Sequence, residues 1–107
     1  MDLSTLRNEI DRIDSQLVQL YEQRMEICSQ VAEYKIESGK KVFDKTREEE
    51  KLARVRSLTH NDFNSQGVTE LFEQIMAMSR KLQYQMLESH GRTSRLPFIP
   101  VENLDTK

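Results

Sequence analysis

Apolar side chains recur every three or four positions over the first third of the chain, which is the spacing of one helix face and not of a strand. The positions that carry this stripe are Leu3, Leu6, Ile10, Ile13, Leu17, Leu20, Ile27, Val31 and Tyr34. The pattern predicts a first helix over about residues 4–37, with Ser4 as the N-cap and Gly39 taking the left-handed conformation that ends helices.

Two further helices follow from cap and stripe signals. Asp44 is a good N-cap before an acidic first turn, which predicts a second helix over about residues 45–58. Residues 60–67 have the composition of a turn, and helical spacing resumes after Gly67, which predicts a third helix over about residues 67–88. The predicted fold is therefore all-α, with three helices per subunit in a domain over residues 1–88 and a linker or disordered tail over residues 89–107.

The first helix is too long for one small domain to cover. At about 1.5 Å per residue it extends roughly 50 Å, whereas a compact domain of 107 residues measures about 34 Å across. A second copy of the chain is the simplest cover for the remaining apolar stripe. The pattern therefore predicts an intertwined helical homodimer.

Composition excludes several functional classes. Sixteen basic and eighteen acidic residues give a formal net charge of -2, so no global positive field favours nucleic acid or an anionic membrane. One cysteine and two histidines provide neither a disulfide nor a typical metal spacing, and no apolar run approaches a membrane span. The expectation is a cytoplasmic protein without a metal or cofactor, whose first residues lack the pattern of a signal peptide.

Polar residues interrupt the predicted apolar faces at four positions. Arg24 and Lys35 lie eleven residues apart, about 20° apart around the first helix and about 16 Å along it, so that their side chains could meet at one small anion. Ser79 and Gln83 interrupt the face of the third helix at i and i+4. Two cations, an amide and a hydroxyl favour binding and charge stabilisation over nucleophilic or acid-base chemistry.

Structural pairing explains the same residues equally well at this stage. Glu48, Glu49 or Glu50 could neutralise the two cations through ion pairs inside the bundle. Arg7, about 25 Å along the helix from Arg24, could reach a partner's site in a crossed dimer, or could pair with Asp11 on the surface of its own helix.

The ordered set of residues resembles the all-helical, AroQ-class chorismate mutases over about residues 3–88. The matching pieces, in chain order, are Leu6-Arg7-x-x-Ile10-Asp11-x-Ile13-Asp14, Arg24, Val31-Ala32-x-x-Lys35, Val42-x-Asp44-x-x-Arg47-Glu48 and Ser79-x-x-x-Gln83. The resemblance implies an entwined dimer that converts chorismate to prephenate in phenylalanine and tyrosine biosynthesis. This is a Claisen rearrangement without a cofactor, in which the site folds the substrate and stabilises negative charge on the ether oxygen.

The resemblance also implies a role for each matching residue. Arg24 and the partner's Arg7 would bind the two carboxylates. Lys35 and Gln83 would donate to the ether oxygen. The ring hydroxyl would lie near Glu48 and the backbone at Asp44. Ser79 and Arg47 would support a carboxylate and the surrounding network.

Lys51 and Arg80 depart from the resemblance, because the family usually has apolar pocket residues at these two positions. Each would either extend outward along the pocket wall or change the charge of the pocket. Packing in that wall or in the core is the expected role of Cys28, Val31 and Met76.

Other arrangements and activities remain open from the sequence. In relatives this module is often fused to prephenate dehydratase, and residues 89–107 resemble an interdomain linker. Alternative functions are an isochorismate-pyruvate lyase, which resembles these mutases, and a noncatalytic helical dimerisation or regulatory module.

Overall fold

A computed structural model describes the backbone of residues 2–95 and the side chains of residues 2–91. Three helices make up this part of the chain: α1 (Leu3–Ser38), α2 (Lys45–Ser57) and α3 (Asp62–Arg95). Helix α3 packs against both α1 and α2, and within residues 2–95 no strand is present. The all-helical class, the three helices and the long first helix are therefore confirmed.

The two ends of the first connection form as predicted. Gly39 ends α1 in the left-handed conformation, with φ of 74°, and its N–H bonds the Lys35 carbonyl. Asp44 caps α2, since its carboxylate accepts the N–H of Arg47 at 3.0 Å. Residues 39–44 thereby connect α1 to α2, and both helices pack against α3.

The start of α1 differs from the prediction. Asp2, not Ser4, is the N-cap, because its Oδ1 accepts the N–H of Thr5 at 2.8 Å. This hydrogen bond also lowers the pKa of the Asp2 carboxyl below its ordinary value.

The start of α3 also differs, by five residues. Asn61 caps the helix by accepting the N–H of Asn64 at 2.7 Å, so α3 begins at Asp62 and passes through Gly67. The predicted turn over residues 60–67 was wrong beyond its first two residues. At its other end α3 continues past the predicted limit to Arg95, and residues 96–107 of the predicted tail lie outside the described residues.

Burial is confined to the half of the molecule where all three helices meet. Its buried apolar residues include Ala32, Val42, Val55 and Met76, accompanied by two buried polar residues, Ser79 and Gln83. Residues 2–23 are all exposed, and the stripe from Leu3 to Leu20 is 44% to 60% exposed. The molecule is correspondingly elongated, with extents of 61 × 31 × 23 Å.

The described helices are too polar to cross a membrane, since none contains an apolar stretch of the required length.

Candidate active site

A cavity of about 150 Å³ lies where the three helices meet the connection between α1 and α2. Residues from each of the four segments line it: Arg24, Cys28, Val31 and Lys35 from α1; Val42 and Asp44 from the connection; Arg47, Glu48 and Lys51 from α2; and Met76, Ser79, Arg80 and Gln83 from α3. Cys28, Val31 and Met76 were expected in the wall or core, and they form part of this wall.

Arg24 is held at one end of the cavity by its neighbours on α1 and α3. Its Nη1 donates to the Ser79 hydroxyl at 3.0 Å and lies 3.8 Å from the Cys28 sulfur. The guanidinium also stacks over Phe72, 5.9 Å from the ring centroid. These contacts orient the guanidinium but provide no negative charge, so its positive charge remains uncompensated.

Lys35 is anchored at the opposite end, in the last turn of α1. Its Nζ donates to the Val42 carbonyl at 2.7 Å, across the connection that Gly39 and Asp44 shape. An ammonium group has three N–H donors, and one such bond leaves two for other acceptors. The sequence could not reveal this anchor, because a backbone carbonyl carries no residue-type signal.

Gln83 presents a buried amide one turn after Ser79 on α3. It is only 7% exposed, and its Oε1 is fully buried without a hydrogen-bond partner among the described residues. A buried amide without a partner costs about 1–3 kcal/mol. Gln83 lines the cavity, and its unpartnered oxygen is an acceptor that an N–H or O–H of a ligand could satisfy.

Glu48 forms an ion pair with Arg80 across the α2–α3 interface. The Arg80 guanidinium also stacks on Phe43, 5.3 Å from the ring centroid. Arg80 therefore does not simply extend outward to solvent: it fixes the carboxylate of α2 and the aromatic residue of the connection together.

The cavity has a marked excess of positive charge. Five cationic side chains line it, Arg24, Lys35, Arg47, Lys51 and Arg80, against two carboxylates, those of Asp44 and Glu48. Glu48 is engaged by Arg80 and Asp44 by the cap of α2, and within the described residues no carboxylate pairs with the other four cations.

This excess of positive charge affects Lys51, the lysine of α2 that lines the cavity. Partial burial lowers the pKa of Lys51, and the guanidinium groups of Arg47, Arg24 and Arg54 lower it further.

The alternative interpretation, in which acidic residues of α2 neutralise the two cations of α1 through ion pairs, is therefore wrong for both Arg24 and Lys35. Arg24 and Lys35 contact a hydroxyl and a backbone carbonyl, not the acidic residues of α2. The predicted site residues of the chain itself, Arg24, Lys35, Asp44, Arg47, Glu48, Ser79 and Gln83, all border one cavity. Within the described residues, no group of His, Cys, Asp and Glu side chains is arranged to hold a metal ion.

Arg7 does not join these residues in its own chain. It is exposed on the unpacked part of α1, and its alternative pairing with Asp11 does not form. Seventeen residues separate it from Arg24, or about 25 Å of helix.

A family model described as chorismate mutase type II matches residues 6–84. The bifunctional chorismate mutase/prephenate dehydratase of Buchnera aphidicola subsp. Schizaphis graminum is 33% identical over 107 residues, which are 99% of this chain and 28% of that protein. The chorismate mutase of Methanocaldococcus jannaschii is 32% identical over 88 residues, covering 80% of this chain and 88% of that protein. No solved structure gives a significant match. With most of its length matched, and the cavity inside the matched region, the chain belongs to the chorismate mutase type II family.

Proposed function

We propose that this chain is a chorismate mutase, which binds the chorismate dianion in the cavity and rearranges it to prephenate. The observation that carries the proposal is the uncompensated positive charge of Arg24, Lys35, Arg47 and Lys51 around the buried side chain of Gln83. Chorismate offers matching groups, namely two carboxylates, an ether oxygen and a ring hydroxyl. Cations that have no carboxylate partner are stabilised by such an anionic ligand.

Arg24 would orient the substrate by binding a carboxylate through paired guanidinium hydrogen bonds. Its contacts with Ser79 and Phe72 hold the guanidinium in place before binding, so little side-chain entropy is lost when the substrate enters. Ser79 and Arg47, both in the cavity wall, would support the bound carboxylate and its network.

Lys35 and Gln83 would act on the rate. The rearrangement breaks the ether C–O bond and forms a C–C bond within one molecule, so negative charge grows on the ether oxygen without any proton transfer. A Lys35 ammonium anchored on Val42 keeps two donors for that oxygen, and the Nε2 of Gln83, which lines the same cavity, can add a neutral donor. Preorganised donors aimed at the oxygen where charge develops favour the transition state over the ground state.

Glu48 and the backbone at Asp44 would hold the ring hydroxyl. The Glu48 carboxylate accepts from Arg80 and retains further lone pairs for a hydroxyl donor. The Asp44 side chain caps α2 and its carbonyl accepts the N–H of Glu48 at 3.1 Å, which leaves the Asp44 N–H for the substrate.

A homodimer would complete the site. The exposed stripe of α1 needs an apolar cover, and a second α1 crossing it would bring the partner's Arg7 to the Arg24 end of the cavity. A groove of about 580 Å³ between α1 and α3, lined by Ile36, Leu82 and Met86 among others, offers further apolar surface for the partner.

Two expectations beyond the module itself remain predictions. The chain spans 28% of the Buchnera relative but 88% of the Methanocaldococcus relative, so related modules occur both with and without much additional chain. The Buchnera relative favours a prephenate dehydratase domain joined to this one, while a cytoplasmic location stays a prediction from the sequence.

The test is the consumption of chorismate by purified protein, prepared from a host without its own chorismate mutase. The proposal predicts loss of chorismate absorbance and an equal yield of prephenate, identified by its acid conversion to phenylpyruvate. A parallel assay with isochorismate separates the alternatives. Pyruvate release there, with chorismate unchanged, would instead indicate a lyase, and a folded protein inert towards both would indicate a noncatalytic module.

A further inference from the structure

Lys51 is a cation of the cavity wall. It lies on α2 one turn after Arg47, is partly buried, and faces the same space as Arg24 and Ser79. A lysine on the surface of a short helix would ordinarily extend its ammonium into bulk water.

The ammonium of Lys51 has no carboxylate to neutralise it. No hydrogen bond or ion pair within the described residues involves its side chain. Three guanidinium groups, those of Arg47, Arg24 and Arg54, act on it instead, and their repulsion together with partial burial lowers its pKa. Holding a lysine among like charges destabilises the fold, and a bound anion would reverse the sign of that interaction.

Arg80 provides the contrast that singles out Lys51. Both are cationic residues of the cavity wall, but Arg80 is neutralised by Glu48 and stacked on Phe43. Its charge is already used to hold α2, α3 and the connection together. The charge of Lys51 has no such structural use.

The position along α2 indicates which end of the cavity Lys51 serves. Helix α2 begins at Asp44, close to the Lys35 end, where the Val42 carbonyl binds the ammonium. Lys51 lies about two turns further along α2, and it lines the same cavity of about 150 Å³ as Arg24. A ligand carboxylate bound to Arg24 would therefore lie next to Lys51.

We propose that Lys51 is a further substrate-binding residue, whose ammonium contacts the carboxylate bound by Arg24 and so sets the affinity of the site for a dicarboxylate. This inference rests on the proposed mutase function. It adds a direct electrostatic contact at the carboxylate end of the cavity.

Steady-state kinetics test the proposal with matched variants. Lys51→Met keeps the length of the side chain and removes its charge, Lys51→Arg keeps the charge, and Arg54→Met removes a like charge one turn further along α2, outside the cavity wall. For Lys51→Met we expect KM for chorismate to rise about tenfold or more, with kcat within about twofold. Lys51→Arg should stay close to the wild-type KM, and Arg54→Met should change it less than about twofold.

Thermal unfolding with and without prephenate supplies a second readout. Removing an unpaired, repelled ammonium should raise the Tm of the free Lys51→Met protein, while the same change should reduce the Tm increase that prephenate produces. A residue needed only for folding would lower the free Tm instead.

The outcomes distinguish a failure of the role proposed for Lys51 from a failure of the proposed mutase function. Wild-type turnover with an unchanged KM in Lys51→Met would overturn the role of Lys51 and leave the mutase proposal intact. Equal KM increases in Lys51→Met and Arg54→Met would also overturn it, because they would indicate a long-range field and not a contact. A wild-type protein that neither consumes chorismate nor is stabilised by prephenate would overturn both proposals.

Discussion

Lys35 is the side chain whose loss should cost the most turnover. Its ammonium is positioned at the cavity by the Val42 carbonyl. It carries a full positive charge, and within the described residues no carboxylate pairs with it. Removing one preorganised donor to a developing oxyanion typically costs about 3–4 kcal/mol of barrier. We expect Lys35→Ala to lower kcat on the order of 10²–10³-fold.

Lys41→Ala is the matched control for this measurement. Lys41 is an exposed lysine in the connection between α1 and α2, and it does not line the cavity. Its loss should therefore leave kcat within about twofold. A loss below tenfold for Lys35→Ala would contradict the assignment of Lys35 to the ether oxygen.

If the Gln83 amide donates to the ether oxygen, the reaction should not require acid pH. Its amide donor does not titrate, so kcat should not fall steeply above pH 6 in the wild-type protein. In Gln83→Glu the same position donates only when the carboxylic acid is protonated, so kcat should decrease as the pH rises through the pKa of the new group. A wild-type profile that falls steeply above pH 6 would contradict the role given to Gln83.

Residue-level reasoning from the sequence reached most of the cavity wall. Arg24, Lys35, Ser79 and Gln83 could be identified because each places a polar group on a face that is otherwise apolar. The partners of these groups could not be identified, since the Arg24–Ser79 hydrogen bond, for example, joins residues 55 positions apart and depends on how α1 and α3 pack. Helical spacing determines which face a residue occupies, but not which side chain of another helix meets it.

At the scale of elements, α1 and α2 were predicted almost to the residue, because Gly39 and Asp44 mark their ends with specific backbone chemistry. The start of α3 was wrong because Gly67, with polar neighbours, has the composition of a turn. Asn61 caps the helix earlier, and once a helix is capped and extended by packing, one glycine costs only about 1 kcal/mol.

The helical position of Gly67 leads to a stability prediction. A Cβ added there meets nothing within 4 Å, so Gly67→Ala should raise the free energy of unfolding by about 0.5–1 kcal/mol. Gly39→Ala is the opposite case, because Gly39 has φ of +74°, a conformation that costs an L-residue about 1 kcal/mol or more. Chemical denaturation of both variants would measure these two changes in the free energy of unfolding. Destabilisation by Gly67→Ala would contradict a helix at that position.

The whole molecule presents an apolar stripe that one chain does not cover. In the part of the chain that the structure describes, residues 2–23 are all exposed, although the stripe from Leu3 to Leu20 has the regular spacing of an interface. We expect light scattering to give a mass of about 25 kDa, twice the 12.6 kDa of one chain. A mass of one chain at micromolar concentration would contradict the dimer.

Each active site should combine the cavity of one chain with Arg7 of the other, and mixed dimers distinguish this arrangement from a site within one chain. Arg7→Ala and Lys35→Ala should each be nearly inactive alone. Refolded together in equal amounts, half of the dimers would be mixed and would contain one site with both wild-type residues, so about a quarter of the wild-type activity should return. If Arg7 acted within its own chain, or had no role in the reaction, the mixture would show no more activity than the average of the two variants.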